Sequence, residues 1–129
     1  MNKPEYAVTH RVCAAIRGLL IALKQEPHMR VHIGLAVLVL SPSIFISIPS
    51  VHVLILSVAL ILIIVLELVN TAIEATVDLI TQSYSTQAKL AKDVAASAVL
   101  VMASATISLA IFIYAPAMYN LSIGVLFGH

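Results

Sequence analysis

The chain has one cysteine, four glycines and few charges, and each scarcity excludes something. Cys13 cannot form an intrachain disulfide, and with no neighbouring cysteine to suggest a metal thiolate it reads as a small packing residue. Gly18, Gly34, Gly124 and Gly128 are too scattered to form a glycine-rich phosphate cradle, and no G-x-x-x-x-G-K-[ST] sequence occurs. Charged residues fill only 10% of 129 positions against 61% hydrophobic ones, and the mean hydropathy is +1.08. A water-soluble domain of this length is thereby excluded. The expectation is an all-α membrane protein, a single unit over residues 1–129 whose helices leave no length for an extramembrane domain.

Basic residues are missing from two stretches, and that fixes the expected topology. Lys3, Arg11, Arg17, Lys24 and Arg30 precede the first apolar run, Lys89 and Lys92 precede the last, and none lies between Ser41 and Ser50 or after Pro116. The positive-inside rule therefore puts the N-terminal arm and the loop around residues 81–91 in the cytoplasm. Residues 5–28 read as an amphipathic surface helix rather than a cleavable signal, with His10, Arg17 and Lys24 forming a polar stripe at seven-residue intervals. Ala14, Gly18 and Ala22 form a small-residue track that either admits a neighbouring helix or reflects an alanine-rich segment. Three membrane-spanning helices are expected over about 31–48, 51–80 and 93–114, with Pro116 just past the end of the last. The tail from Ala117 to His129 is apolar and glycine-containing and carries no clear element signal.

Within LELVNTAIEATVDLIT, Glu67, Asn70, Glu74 and Asp78 are spaced by three, four and four residues. At roughly 100° per residue they occupy a helical sector of about 80°. Carboxylates on a membrane helix cost several kcal/mol unless cations, hydrogen bonds or protons compensate, so the stripe points to a ligand or ion. Asp93 and Glu26 add to the same cytoplasmic side, bringing five of the six acidic residues together. Ion pairs with Arg30, Lys89 and Lys92 are the structural alternative, but these cations are too few to explain a same-face stripe. Such carboxylates suit Mg²⁺, which takes one or two protein oxygens and completes its shell with water and phosphate oxygens. Lys92 is then a natural phosphate partner, and Glu67, nearest the hydrocarbon, can take a proton from a lipid hydroxyl.

Other polar residues carry weaker signals. His28 and His32, four apart, could share a metal from one helix face, but no third ligand has convincing spacing, and interfacial polarity is the simpler account of them. His52 and His129 read as solvated or interfacial. Arg30 either snorkels to headgroups or touches the lipid in the site. A proton- or ion-translocating subunit using Glu67 is the competing class, but His52 alone continues an ionisable path outward. A small non-catalytic assembly partner is a third class, and it does not require Glu26, Asn70, Lys92 and Asp93 to occur together.

The run Glu67-Leu-Val-Asn70-Thr-Ala-Ile-Glu74-Ala-Thr-Val-Asp78, with Lys92-Asp93 beginning fourteen positions later, resembles the signature of the small prokaryotic diacylglycerol and undecaprenol kinases. The resemblance extends from Arg17-Gly18-Leu19 to Ala98 and Val99. It implies a homotrimer in the bacterial inner (cytoplasmic) membrane, each multi-pass subunit having a surface helix and three spans, with sites shared between neighbours at the cytoplasmic face. The implied reaction is transfer of the ATP γ-phosphoryl group to a lipid hydroxyl, and no nucleic acid is expected as a partner. By resemblance Glu67 is the catalytic base, Glu26 and Glu74 hold magnesium, and Arg30 joins Glu67 at the lipid substrate. Glu26, Asn70, Glu74, Asp78, Ser83, Tyr84, Ser85, Lys92 and Asp93 form the ATP site, although the histidine and acid often found in the 83–85 loop are absent here. Pro27-His28-Met29 replaces an asparagine-aromatic sequence, and Ser97 stands where many undecaprenol-type members have glycine. NTAIEATVDLIT and AKDVAASAVL look closer to the undecaprenol branch.

Overall fold

Four helices follow one another in the computed structural model, which describes residues 8–81 and 83–127, and among these no strand occurs. They are α1 (Val8–Gln25), α2 (Pro27–Leu40), α3 (Ser50–Ile80) and α4 (Thr86–Phe127), and a 3-10 turn over Ser41–Ile44 follows α2.

Prolines account for most of the boundaries. Pro27 lacks an N–H, which suits the first turn of a helix, and it pushes the preceding residue out of the helical region. Glu26 accordingly is extended, with φ −96° and ψ 110°, and serves as the N-cap of α2. The surface helix expected over 5–28 therefore ends at Gln25, while its residues 5–7 lie outside the described part.

The next segment also departs from expectation, because α2 ends at Leu40 rather than near Ile48. Pro42 cannot donate to the carbonyl of Leu38, four residues back. Ser41 Oγ donates to that oxygen instead at 2.9 Å, and the chain tightens into the 3-10 turn. Pro49 then caps α3, accepting the His52 N–H at 2.9 Å. Pro116, expected just past a helix end, lies inside α4. It forfeits one backbone bond, to the carbonyl of Phe112, and an apolar helix tolerates that loss when its neighbouring turns remain intact.

Helices α3 and α4 are each long and apolar enough to cross a membrane. At 14 residues α2 is about 21 Å long, short of the roughly 30 Å hydrocarbon core on its own. The short loop between α3 and α4 makes them an antiparallel pair, and their packing dominates the molecule. Leu56, Leu60 and Ile63 from α3 meet Val99 and Ile113 from α4 in the core. Tyr114 ties α4 to α2 by donating its hydroxyl to the carbonyl of Val39 at 2.8 Å, and Met29 of α2 is wholly buried. Leu54, Ile61, Leu100 and Phe112 point outward, as lipid-facing residues do.

Between apolar helices in lipid, close packing rather than water exclusion supplies much of the association energy. Leu56→Ala, which opens a hole in the buried seam, is expected to destabilise the fold by about 2 kcal/mol. Leu54→Ala on the outer face is expected to cost less than about 0.5 kcal/mol. Reversible unfolding of both variants in mixed detergent micelles checks the contrast.

Candidate active site

The buried seam of α3 runs Leu56, Leu60, Ile63, Glu67, Asn70, at alternating intervals of four and three. This is the spacing of a helix seam against its neighbours. At Glu67 the seam changes chemistry without changing direction, so a carboxylate and an amide occupy positions where the apolar core would otherwise continue. Glu67 is 4% exposed and Asn70 8%, Glu74 is half-buried, and the Asp78 side chain is 65% exposed. The four-residue stripe thus runs from the interior to the surface of one helix.

Two cavities divide it. The inner one, of about 270 Å³, is walled by Glu67, Asn70 and Glu74 on α3, by His28 and His32 on α2, and by the small and aliphatic side chains Ala96, Val99, Leu100 and Ala103 of α4. Asn70 Nδ2 donates to Glu74 Oε1 at 3.0 Å, an i to i+4 contact that orients the half-buried carboxylate. Asn70 Oδ1 is buried and has no hydrogen-bond partner among the described residues. An acceptor left in that state costs about 1–3 kcal/mol, which points to a donor that arrives from outside the chain.

The outer cavity, of about 320 Å³, lies at the α3–α4 turn, where Asp78, Ser83, Tyr84, Ser85, Lys89 and Lys92 gather with Thr81 and two small apolar residues. Lys92 Nζ meets Asp78 Oδ1 at 2.6 Å, closing the loop across fourteen residues. Thr81 Oγ1 donates to the Ser83 carbonyl at 2.9 Å, and Ser85 Oγ accepts the Ala88 N–H at 3.4 Å as a long N-cap of α4. The Ser85 hydroxyl therefore has a structural task besides any ligand contact.

The expected site residues consequently fall into three sets. Glu67, Asn70 and Glu74 share the inner cavity, and Asp78, Ser83, Tyr84, Ser85 and Lys92 share the outer one. Glu26, Arg30 and Asp93 line neither. Glu26 is half-buried at the α2 N-cap, while Arg30 and Asp93 are exposed. Among the described residues no cluster of three or more histidine, cysteine, aspartate or glutamate side chains is poised to hold a metal. A zinc face on His28 and His32 gains no third ligand. Their four-residue spacing had nonetheless signalled a shared face, and that face opens onto Glu67. Lys89 also joins the outer cavity, and its three-residue spacing from Lys92 on one helix was the available signal.

These observations define a small helical membrane protein with an acid-and-amide cleft and, further along the same helix, a lysine-containing surface pocket. A model of the family described as prokaryotic diacylglycerol kinase matches residues 13–114, a range that contains every residue of both cavities. A diacylglycerol kinase of Synechocystis is similar, with 33% identity over 105 residues, covering 81% of this chain and 59% of that protein. The undecaprenol kinase of Bacillus subtilis is 34% identical over 100 residues, covering 78% of this chain and 81% of its own length. The match thus spans less than two thirds of the cyanobacterial relative. The chain belongs to the prokaryotic diacylglycerol kinase family.

Because Lys92 and Asp78 are partly exposed, their ion pair is expected to contribute little to stability. A double-mutant cycle on Asp78→Asn and Lys92→Met, read by unfolding in micelles, is expected to give a coupling below about 1 kcal/mol. A larger coupling would make the pair a structural clasp rather than ligand machinery.

Proposed function

We propose that this protein is a lipid kinase that transfers the γ-phosphoryl group of ATP to the hydroxyl of a membrane lipid at the cytoplasmic interface of the bacterial inner membrane. The single observation that carries the reading is the two-cavity stripe. Its buried acid, Glu67, adjoins lipid-facing packing, and its exposed end, Asp78 with Lys92, opens to water. An acceptor that cannot leave the bilayer and a donor that cannot enter it need such a junction.

In this reading Glu67 accepts the hydroxyl proton while the lipid oxygen forms a bond to the γ-phosphorus. The bond from that phosphorus to the β,γ-bridging oxygen breaks, and ADP departs. Lys92 supplies positive charge to the phosphates, with Asp78 holding its ammonium in place beforehand. Ser83, Tyr84 and Ser85 border the nucleotide, and Asn70 keeps Glu74 aimed along the stripe. The donor set suits Mg²⁺, a hard cation that needs only one or two carboxylates beside phosphate oxygens; Glu74 and Glu26 are its ligands in this reading. Held there with ATP, the ion would supply positive charge beside the phosphoryl group being transferred. Arg30 meets the lipid. Undecaprenol is the favoured acceptor over diacylglycerol, on the character of the α3 and α4 sequences.

The same reading makes α2 the first of three spans. The 3-10 turn adds about 8 Å to it, bringing the pair close to the thickness of the hydrocarbon core. It also makes the working unit a homotrimer with shared sites. Glu26, Arg30 and Asp93 line neither cavity of their own chain, the pattern expected if a neighbouring copy completes the site.

Purified protein in mixed micelles is expected to move label from γ-labelled ATP to lipid only with a divalent cation present, and faster to undecaprenol when the two alcohols are supplied separately. Glu67→Gln is expected to lower turnover by about 10²–10⁴-fold while nucleotide binding persists. Transfer to neither lipid would reject the kinase, and unchanged turnover would remove Glu67 from the base role. Shared sites have their own test. Co-assembling Glu67→Gln subunits with Asp93→Asn subunits is expected to restore part of the activity that each lacks alone, whereas purely intrachain sites would stay inactive in the mixture.

A further inference from the structure

The inner cavity has an imbalance that the reaction described so far does not use. Its α3 wall is rich in acceptors: the carboxylates of Glu67 and Glu74, and Asn70 Oδ1, which is buried without a partner on a side chain only 8% exposed. One amide hydrogen of Asn70 is already committed to Glu74. The α4 wall contributes only alkyl groups, and no residue of α1 lines the space. Ring N–H donors come from His28 and His32 alone, one helical turn apart on the same face of α2. Glu26 lies two residues before His28, and Glu67 and Glu74 are the other titratable groups facing the pair.

A neutral lipid alcohol needs little from that wall, because its one hydroxyl proton finds an acceptor in Glu67. The product is different. A phosphate monoester carries about −1.5 to −2 charges near neutral pH and three strong acceptor oxygens. Set among carboxylates, it is repelled unless donors meet it. We propose that His28 and His32 form a receiving site for the phosphoryl group of the lipid product, so that the cleft binds a lipid phosphate monoester between an imidazole wall and the acid stripe. The two imidazoles act as positioning residues that take the transferred group away from the nucleotide side and set how tightly the product is retained. At about 270 Å³ the cavity is just below the usual range for whole small-molecule ligands, as befits a headgroup whose chains stay in the bilayer. This inference rests on the kinase reading for the identity of the monoester, but the placement of both imidazoles in one cavity with Glu67 stands on the structure alone.

The test is direct binding without ATP. Full-length protein in dodecyl maltoside micelles is titrated with dioctanoyl phosphatidic acid, a monoester, and with dioctanoyl phosphatidylglycerol, a diester, by calorimetry. The monoester is expected to bind more tightly. His28→Leu with His32→Leu is expected to lower its affinity by about tenfold or more, the effect of losing hydrogen bonds to a charged group. The corresponding His28→Gln and His32→Gln pair, which keeps N–H donors, is expected to recover most of the loss. Unchanged monoester affinity in the leucine pair would overturn the proposal. So would equal loss in the glutamine pair with helix content intact by circular dichroism, or a diester that binds equally well with the same histidine dependence. The same preparations are assayed for phosphoryl transfer. Histidine-dependent monoester binding without any transfer rejects the kinase and leaves the site standing, whereas transfer with histidine-independent binding rejects only the site.

Discussion

The structure depends on one seam along α3. Leu56, Leu60 and Ile63 hold the antiparallel partner α4 against it, and the same alternation of four and three residues carries Glu67 and Asn70 into the interior immediately afterwards. A helix cannot rotate its apolar half inward and its polar half outward at once. The packing that secures the leucines therefore commits the acid and the amide to burial. In an apolar bilayer the alternative, a carboxylate facing lipid, is costlier still. The site is thus a continuation of the core, and its polarity is tolerated because it opens into a cavity rather than into close-packed side chains.

Burial along that seam grades the chemistry. The interior end offers a carboxylate and an orphaned amide oxygen in a cavity with aliphatic α4 walls, and the surface end offers an ion pair beside a serine- and tyrosine-containing turn. Asn70 links the two by holding Glu74 at the transition. About three turns of one helix, Glu67 to Asp78, therefore run from a buried cleft to an exposed one. The two imidazoles on α2 add ring nitrogens to the inner wall, which α3 supplies mainly with acceptors.

Prolines, more than hydrophobic pattern, set where the elements begin and end. Pro27 separates the surface helix from α2 and leaves Glu26 extended at the junction, while Pro42 shortens α2 and requires Ser41 to satisfy the Leu38 carbonyl. Pro116 does the opposite of what its position suggests, since α4 runs on through it to Phe127. These cases share a cause. A proline removes one donor, and whether the helix stops depends on what else can satisfy or shield the freed carbonyl, a side-chain hydroxyl one residue away at Pro42 and intact flanking turns at Pro116.

Read alone, the sequence determined the solvent, the helical class and the stripe, because hydropathy and a 3.6-residue period are local properties that need no partner. It also identified Glu67, Asn70, Glu74 and Asp78 as one face and attached Lys92 to them by family resemblance. Only the tertiary structure decided which neighbours that face meets. It separated the stripe into two cavities, paired Lys92 with Asp78, brought His28 and His32 opposite Glu67, and left Glu26, Arg30 and Asp93 outside both. Those outcomes depend on how α2 and α4 pack against α3, and residues tens of positions apart acquire a shared environment only when their helices meet.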